Sequence, residues 1–230
     1  MTVPEDNIAF PEFLASIVHD MKNSLGMILT AAEETVGACS SRDCPSSKRL
    51  SQMQYETKRL NNNLVQLLTL YKMDQAQYTV NISDNAVRDF IDETILQNRQ
   101  LLDYRGIDVV TECPDDLFWF FDSNLVSGVI NNILNNAYRY ARDQLRLIAE
   151  EKEGFLVLTV QDNGSGYPDS MLRSTKQAIR GTSFRTGSTG LGLYFASIVA
   201  GLHKNRGRSG YIEIRNGCDL GGGCFSIYLP

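Results

Sequence analysis

Residues 131–140 read Asn131-Asn132-Ile-Leu-Asn-Asn136-Ala-Tyr-Arg139-Tyr140, with four asparagines inside six positions of an otherwise apolar, helix-forming run. Asparagine is a poor helix former because its amide competes for nearby backbone groups. That density within a helix predicted over 124–140 points to something other than folding. Asn132 and Asn136 lie four apart and Arg139 three beyond, so the three share one helical face. Amide oxygens suit a hard divalent cation such as Mg²⁺, which takes oxygen ligands and retains waters and phosphate contacts. The bland alternative is a row of surface amides and local caps.

Downstream stand two glycine-rich stretches. Val160-Gln-Asp162-Asn-Gly164-Ser-Gly166-Tyr-Pro168 ends a predicted strand on an acid followed by glycines two apart. Such a backbone can approach a flat ligand closely while Asp162 accepts a hydrogen bond from an exocyclic amine, although ordinary turns use the same residues. Gly187-Ser-Thr-Gly190-Leu191-Gly192-Leu193 runs into a predicted helix. Backbone N–H groups at a helix start form an anion site fit for a polyphosphate, and the absence of a following Gly-Lys-Ser/Thr excludes a Walker loop. Between the two, residues 167–186 carry Lys176, Arg180 and Arg185 with little periodicity, as expected of a lid whose cations meet phosphates.

Around these motifs the pattern predicts helices over 86–102, 124–140 and 191–202, and strands over 107–111, 144–148, 155–161, 211–215 and 224–228. Strands and helices alternate without a regular parallel rhythm, which predicts a mixed sheet covered by helices on one face. His203, after the last helix, reads as a cap or surface residue.

Upstream of residue 78 the pattern is wholly helical. Leu14, Val18, Met21, Leu25, Ile28 and Ala32 form one stripe, predicting a helix over about residues 9–38 with Pro11 in its first turn. Gly37 to Ser47 reads as a tight connection. A second stripe follows through Leu50, Met53, Thr57, Leu60, Leu64, Leu67 and Tyr71. The two helices predict an antiparallel hairpin, and two hairpins close a four-helix bundle, so a homodimer is expected; a two-helix arm folded back on the second domain is the alternative. The expected organisation is α+β, with a helical hairpin over 1–78 and an α/β sandwich over 79–230.

His19 follows the stripe residue Val18 and starts the solvent side of the first helix, with Asp20 beside it and Asn23 one turn on. An exposed imidazole is largely neutral at pH 7 and nucleophilic through one ring nitrogen, while an adjacent carboxylate can orient the other.

Composition narrows the classes further. Hydrophobic residues make up 43% and charged residues 21%, as in folded rather than disordered chains. With 22 Lys and Arg against 27 Asp and Glu, net charge is −5, so nucleic acid has no electrostatic support as a partner. No apolar run nears the length that spans a bilayer, so the segment itself is expected to make no membrane contact and to be cytoplasmic, on its own or as the cytosolic part of a membrane-anchored receptor. The five cysteines form no paired CxxC pattern, which argues against a zinc site and for a reducing compartment.

Together these motifs resemble the catalytic core of a sensor histidine kinase, a phosphoacceptor hairpin followed by the Bergerat-type ATP-binding domain shared with gyrase and the Hsp90-like ATPases. The resemblance spans residues 9–230. It implies that His19 is phosphorylated with Asp20 as the adjacent acid. It also implies that Asn132 and Asn136 form the asparagine box, with Asn136 on Mg²⁺ and Arg139 at a customary basic position. Asp162, Gly164 and Gly166 match the first glycine box, implying adenine recognition by Asp162; Gly190, Leu191 and Gly192 match the second, with Tyr140 and Arg185 among the implied nucleotide contacts. Phe184 matches an aromatic of the lid, and the stretch from Gly221 to Pro230 resembles the closing glycine-rich strand.

The implied reaction is ATP-dependent autophosphorylation of His19 and transfer to an aspartate of a response regulator receiver domain, with Asn23 placed to orient a water for a phosphatase activity. Three departures stand out: Ser24 replaces the proline usual five residues after the histidine, Cys224 replaces a frequent hydroxyl residue, and Asn205 to Gly210 adds a polar segment. A competing class is a non-kinase phosphotransfer or scaffold dimer, which nucleotide binding would separate. An ATPase using a glutamate-activated water is disfavoured, since no glutamate lies among residues 131–136.

Overall fold

The computed structural model describes Met21, Asn23, residues 25–31, Thr35, and residues 45–75, 77–178 and 191–230. The chain divides into two compact units, Met1–Tyr78 and Thr79–Pro230. In the first, residues 25–31 are helical and α1 spans Pro45–Asp74. The sequence reading put Pro45 to Ser47 in the connection. They instead form the first turn of α1, where proline's missing N–H has no intrahelical partner to lose. The rest of the predicted connection and residues 9–20 of the first predicted helix lie outside the described residues.

Along α1 the predicted stripe is only partly buried. Met53, Leu60 and Leu67, spaced by sevens, remain 53%, 47% and 47% exposed, whereas Gln54, Tyr55, Thr57 and Gln66 are buried. Met21 and Ile28, also seven apart, are about half exposed as well.

The second unit opens with β1 (Ser83–Ala86), which pairs antiparallel with β3 (Phe118–Phe121). Neither strand was predicted. Each is only four residues long, and the Phe118–Phe121 run has no apolar/polar alternation to read. The helix predicted over 86–102 is two helices, α2 (Val87–Leu96) and α3 (Arg99–Arg105). Asn98 causes the break: its buried amide donates to the Thr94 carbonyl at 2.8 Å and to Asn131 Oδ1 at 2.6 Å, displacing the regular backbone ladder. Gly106, at φ 70°, ends α3 in the left-handed conformation.

The remaining elements are β2 (Asp108–Glu112), α4 (Ser123–Tyr140), β4 (Gln144–Lys152), β5 (Phe155–Asp162), α5 (Asp169–Ala178), α6 (Leu191–Leu202), a short hairpin of β6 (Lys204–Asn205) and β7 (Arg208–Ser209), β8 (Tyr211–Asn216) and β9 (Gly223–Leu229). The main sheet runs β2-β4-β5-β9-β8, with β2 parallel to β4 and all other pairs antiparallel, so it is mixed as expected. Helix α5 replaces the start of the aperiodic lid, and the β6–β7 hairpin gives structure to the added polar segment.

Alternation along the strands sorts the sheet into two faces. Leu147, Leu156, Leu158, Val160, Phe225 and Ile227 are buried on the helix-covered face against α4 and α6. The opposite face carries the Thr159 to Ser226 hydroxyl bond at 2.8 Å and the stacked rings of Tyr211 and Tyr228.

His203 is not a surface residue: it is 2% exposed. Its Nε2 accepts the Asp122 N–H at 3.0 Å and its Nδ1 bonds the Val199 carbonyl at 2.8 Å, so the imidazole joins the end of α6 to the start of α4. Asp122 in turn caps α4 by accepting from Leu125 N–H at 3.1 Å, and its other oxygen accepts from Asn81 N–H at 2.9 Å.

Candidate functional site

Helix α4 lies between the two glycine stretches and presents a different residue to each. Near its middle, a Cβ added to Gly192 would fall 1.9 Å from Asn132 Nδ2, so the start of α6 seats directly on that amide. At its C-terminus, a Cβ on Gly164 would fall 2.2 Å from the Tyr140 carbonyl oxygen. Between these anchors, on the same face, Asn136 is exposed, and so are Arg139 and Tyr140, with the guanidinium 5.4 Å from the Tyr140 ring centroid. The structure thus brings Asn132, Asn136, Tyr140, Asp162, Gly164 and Gly192 to one side of the second unit.

The asparagine surplus has two origins. Asn131 accepts from Asn98 and donates to Ser127 Oγ at 3.1 Å, and Asn135 is buried, so half of the cluster serves packing rather than a ligand. Asn132 and Asn136 lie on the side that faces the glycine segments.

Asp162 is held in a fixed orientation at the end of β5. Its Oδ1 accepts from Gly164 N–H at 2.7 Å and Gly223 N–H at 3.2 Å, while its carbonyl accepts from Gly222 N–H at 3.0 Å. Oδ2 faces Gly223, whose added Cβ would meet it at 2.8 Å and the Tyr167 ring at 3.1 Å. Burial, followed by the charge of Asp162, pushes the Tyr167 phenol well above its ordinary range, so the ring is neutral beside the carboxylate. A charged acceptor fixed by backbone donors, among close-packed glycines, is suited to an amine on a flat ring.

Two positioning asparagines escaped the sequence reading. Asn163 Oδ1 accepts from the N–H groups of Arg142, Asp143 and Gln144 at 3.1 to 3.2 Å, tying the glycine loop to the chain leaving α4. Asn216 brackets Tyr167, accepting from its N–H at 2.7 Å and donating to its carbonyl at 2.8 Å. The cue was the general preference of asparagine for side-chain to backbone bonds in turns, which does not say which backbone is reached.

Leu191 opens α6. Asn23 is helical and exposed. His19, Asp20, Gly190 and Arg185 lie outside the described residues, as do Arg180 and Phe184. Among the described residues no group of three His, Cys, Asp or Glu converges on a metal. The exposed Asn136 amide fits an oxygen-preferring ion that arrives with phosphates and waters as its other ligands.

The two glycine contacts make a graded prediction. Gly164→Ala sets a methyl against backbone that cannot rotate away, and should cost about 1–3 kcal/mol of stability in urea melts. Gly192→Ala meets the end of a side chain, so Asn132 can turn aside and stability should change less.

The mixed sheet, the α4 amides and the two glycine segments have the layout of the histidine kinase ATPase fold. Residues 121–230 match the family of histidine kinase-, DNA gyrase B-, and HSP90-like ATPases. Over 226 residues, 95% of this chain, the sequence is 24% identical to the sensor protein SrrB of Staphylococcus aureus strain N315 and spans 38% of that protein's length. In structure the chain is similar to the histidine kinase AdeS of Acinetobacter baumannii, with a TM-score of 0.59 at 17% identity over 90% of this chain and 95% of that one. It is also similar to full-length ShkA in complex with AMPPNP, with a TM-score of 0.62 at 16% identity over 96% of this chain and 46% of that one. At these identities the likeness is one of fold.

Proposed function

We propose that the chain is the catalytic core of a two-component histidine kinase, with residues 1–78 as dimerisation and phosphoacceptor hairpin and 79–230 as ATP-binding domain. The observation that carries this reading is the α4 face set between two glycine segments, beside an Asp162 carboxylate held by backbone donors. The Asp162 Oδ2 atom accepts the exocyclic amine of adenine. Asn132 and Asn136 face the phosphates, with Asn136 holding Mg²⁺, which offsets phosphate charge when bound. Arg139, Tyr140, Arg185 and the segment Gly190 to Gly192 complete the nucleotide contacts.

One ring nitrogen of His19 attacks the γ-phosphorus, the bond to the bridging oxygen breaks, and ADP leaves. Asp20 holds the proton on the other ring nitrogen and stabilises the charge that develops there. The phosphoryl group then passes to an aspartate of a response regulator receiver domain, and Asn23 orients a water that hydrolyses that aspartyl phosphate to the free carboxylate and inorganic phosphate. The SrrB relatives are sensor proteins by name, which supports a sensor kinase setting.

Incubation with γ-labelled Mg-ATP tests the reading: the protein should acquire a label that survives base and is lost in acid. Nucleotide binding without any label, under conditions where the receiver partner is also present, would remove the kinase and leave a scaffold or phosphotransfer dimer. Asn23→Ala should keep the label and lose most dephosphorylation of the partner; an unchanged dephosphorylation rate would remove Asn23 from that role.

The homodimer draws support from the half-exposed heptad row Met53, Leu60 and Leu67. A seven-residue apolar repeat left open in one chain is the seam of a bundle. Leu60→Glu places a charge in that seam and should shift the protein from dimer to monomer in light scattering, with the ATP-binding unit still folded by near-UV circular dichroism.

A further inference from the structure

The turn between β8 and β9 carries two of the donors that orient Asp162, and its sequence gives it little stiffness of its own. Gly217 and Gly221 stand at φ 78° and 82°, and Gly221 to Gly223 are three glycines in a row. Glycine loses more conformational freedom on ordering than any other residue. Inside the turn, Gly217 N–H donates to the Gly222 carbonyl at 3.0 Å and Gly221 N–H to the Cys218 carbonyl at 2.7 Å. Its far end donates to Asp162, through Gly222 N–H to the carbonyl and Gly223 N–H to Oδ1. Donors on so free a run hold an acceptor still only where the run is itself anchored.

Asp219 supplies an anchor. Its Oδ2 accepts from Nη1 of Arg146 at 3.0 Å, a residue of β4 that lies 73 positions earlier and on the polar face of the sheet. Arg146 is held in turn, with Nε 3.3 Å from Glu112 Oε1 at the end of β2, so the guanidinium is oriented where Asp219 meets it. The cross-strand register shows what the pair reaches over. Arg146 is the direct neighbour of Gln161, and Gln161 of Cys224, so the pair spans β5 one residue before Asp162. Gln161, the residue spanned, is 4% exposed and its Oε1 is buried without a partner. A buried acceptor left unpaired favours a turn that lifts and admits water. The ion pair of Arg146 with Asp219 opposes that opening.

We infer that Arg146 is a positioning residue for the nucleotide corner: by anchoring Asp219 it keeps the glycine turn down and so keeps Gly222 and Gly223 on Asp162. It stands on the face opposite α4 and acts through the turn rather than on the nucleotide. Its loss leaves Asp162 at the end of β5 but frees the orientation of the carboxylate. The cost therefore falls on binding the base and not on the chemistry at the γ-phosphorus. Side-chain exposure is 30% for Arg146 and 69% for Asp219, so the effect has the modest size of a partly solvated ion pair. The effect on nucleotide rests on the proposed role of Asp162, whereas the hold of Arg146 on the turn does not.

Amide exchange and ATP binding in the full chain test the two parts separately. In Arg146→Ala and in Asp219→Ala, the Gly222 and Gly223 amides should exchange with deuterium about three- to fivefold faster than in wild type by NMR, the range set by a partly exposed ion pair. ATP binding by calorimetry should weaken by a similar factor. In His19 labelling the KM for ATP should rise while the rate at saturating ATP stays unchanged. Both substitutions break one contact, so the double variant should bind no more weakly than the weaker single variant. Arg146→Lys, which keeps the charge, should recover part of the affinity. A lower melting temperature with unchanged exchange and affinity would make Arg146 a structural residue only and overturn the proposal. Faster exchange with unchanged affinity, or losses that add in the double variant, would overturn it as well. Wild-type protein that binds no ATP would overturn the adenine reading instead, while exchange at the two glycine amides still decides whether Arg146 holds the turn.

Discussion

Asp162→Asn should weaken ATP binding by roughly two orders of magnitude, the size expected when a charged acceptor is lost and a donor faces a donor. The geometry makes this substitution selective. Oδ1 is the atom that accepts from Gly164 and Gly223, and an asparagine oxygen can keep both bonds. The new NH₂ then occupies the Oδ2 position, where adenine offers its own amine. Fold and melting temperature should be close to wild type, and labelling of His19 should fall with the lost affinity. His19→Ala supplies the opposite pattern: ATP binds normally by calorimetry and all acid-labile label disappears. If Asp162→Asn bound ATP at full strength, the adenine assignment would be wrong. If His19→Ala kept the label, the acceptor assignment would be wrong.

The largest expected loss of stability lies away from the nucleotide corner, at His203. His203→Ala removes a 2% exposed ring and strands the Asp122 N–H and the Val199 carbonyl without their partners. A cavity and two unpaired buried polar groups together should cost about 3–5 kcal/mol in denaturant melts. A cost under about 1 kcal/mol would mean that water replaces the imidazole without strain.

The same residue sets a pH dependence. Burial lowers the His203 pKa, with the Val199 bond and the Asp122 charge opposing but not overcoming it. The folded state therefore binds fewer protons than the unfolded state below the ordinary histidine value of about 6.5. The contribution of His203 to stability is full above that pH and declines as the pH falls toward the lowered folded value, by up to about 1.4 kcal/mol per unit. In His203→Gln, which cannot titrate there, melts between pH 7.5 and 5 should show a smaller decline than in wild type. An equal decline would assign the effect to other groups.

Much of the second unit was legible because its elements are long and periodic. Helices α4 and α6 and strands β4, β5, β8 and β9 were expected within a few residues of where they stand, since an apolar face repeated over a strand or several turns survives tertiary context. The short pieces were not. Strands β1 and β3 have four residues each, and β6 and β7 two each. The split at Asn98 depends on Asn131, a residue 33 positions away. His203 followed an apolar helix and looked like its polar end, because nothing local announces that Asp122 lies over the imidazole.

The candidate site divides along the same line. Residue types and spacings alone singled out the side chains proposed to carry the chemistry: an acid at a strand end before spaced glycines, amides four apart on a helix, and a histidine beside an acid on a helical stripe. Those features are local, so they are written in sequence order. Only the tertiary structure decided that Asn131 serves packing while Asn132 meets Gly192, that Gly164 must lack a side chain because of the Tyr140 carbonyl, and that Gly222 and Gly223 orient Asp162 from 60 residues downstream. Such contacts depend on how β5, β9, α4 and α6 approach one another. That approach is set by the packing of the whole core rather than by any stretch of neighbouring residues.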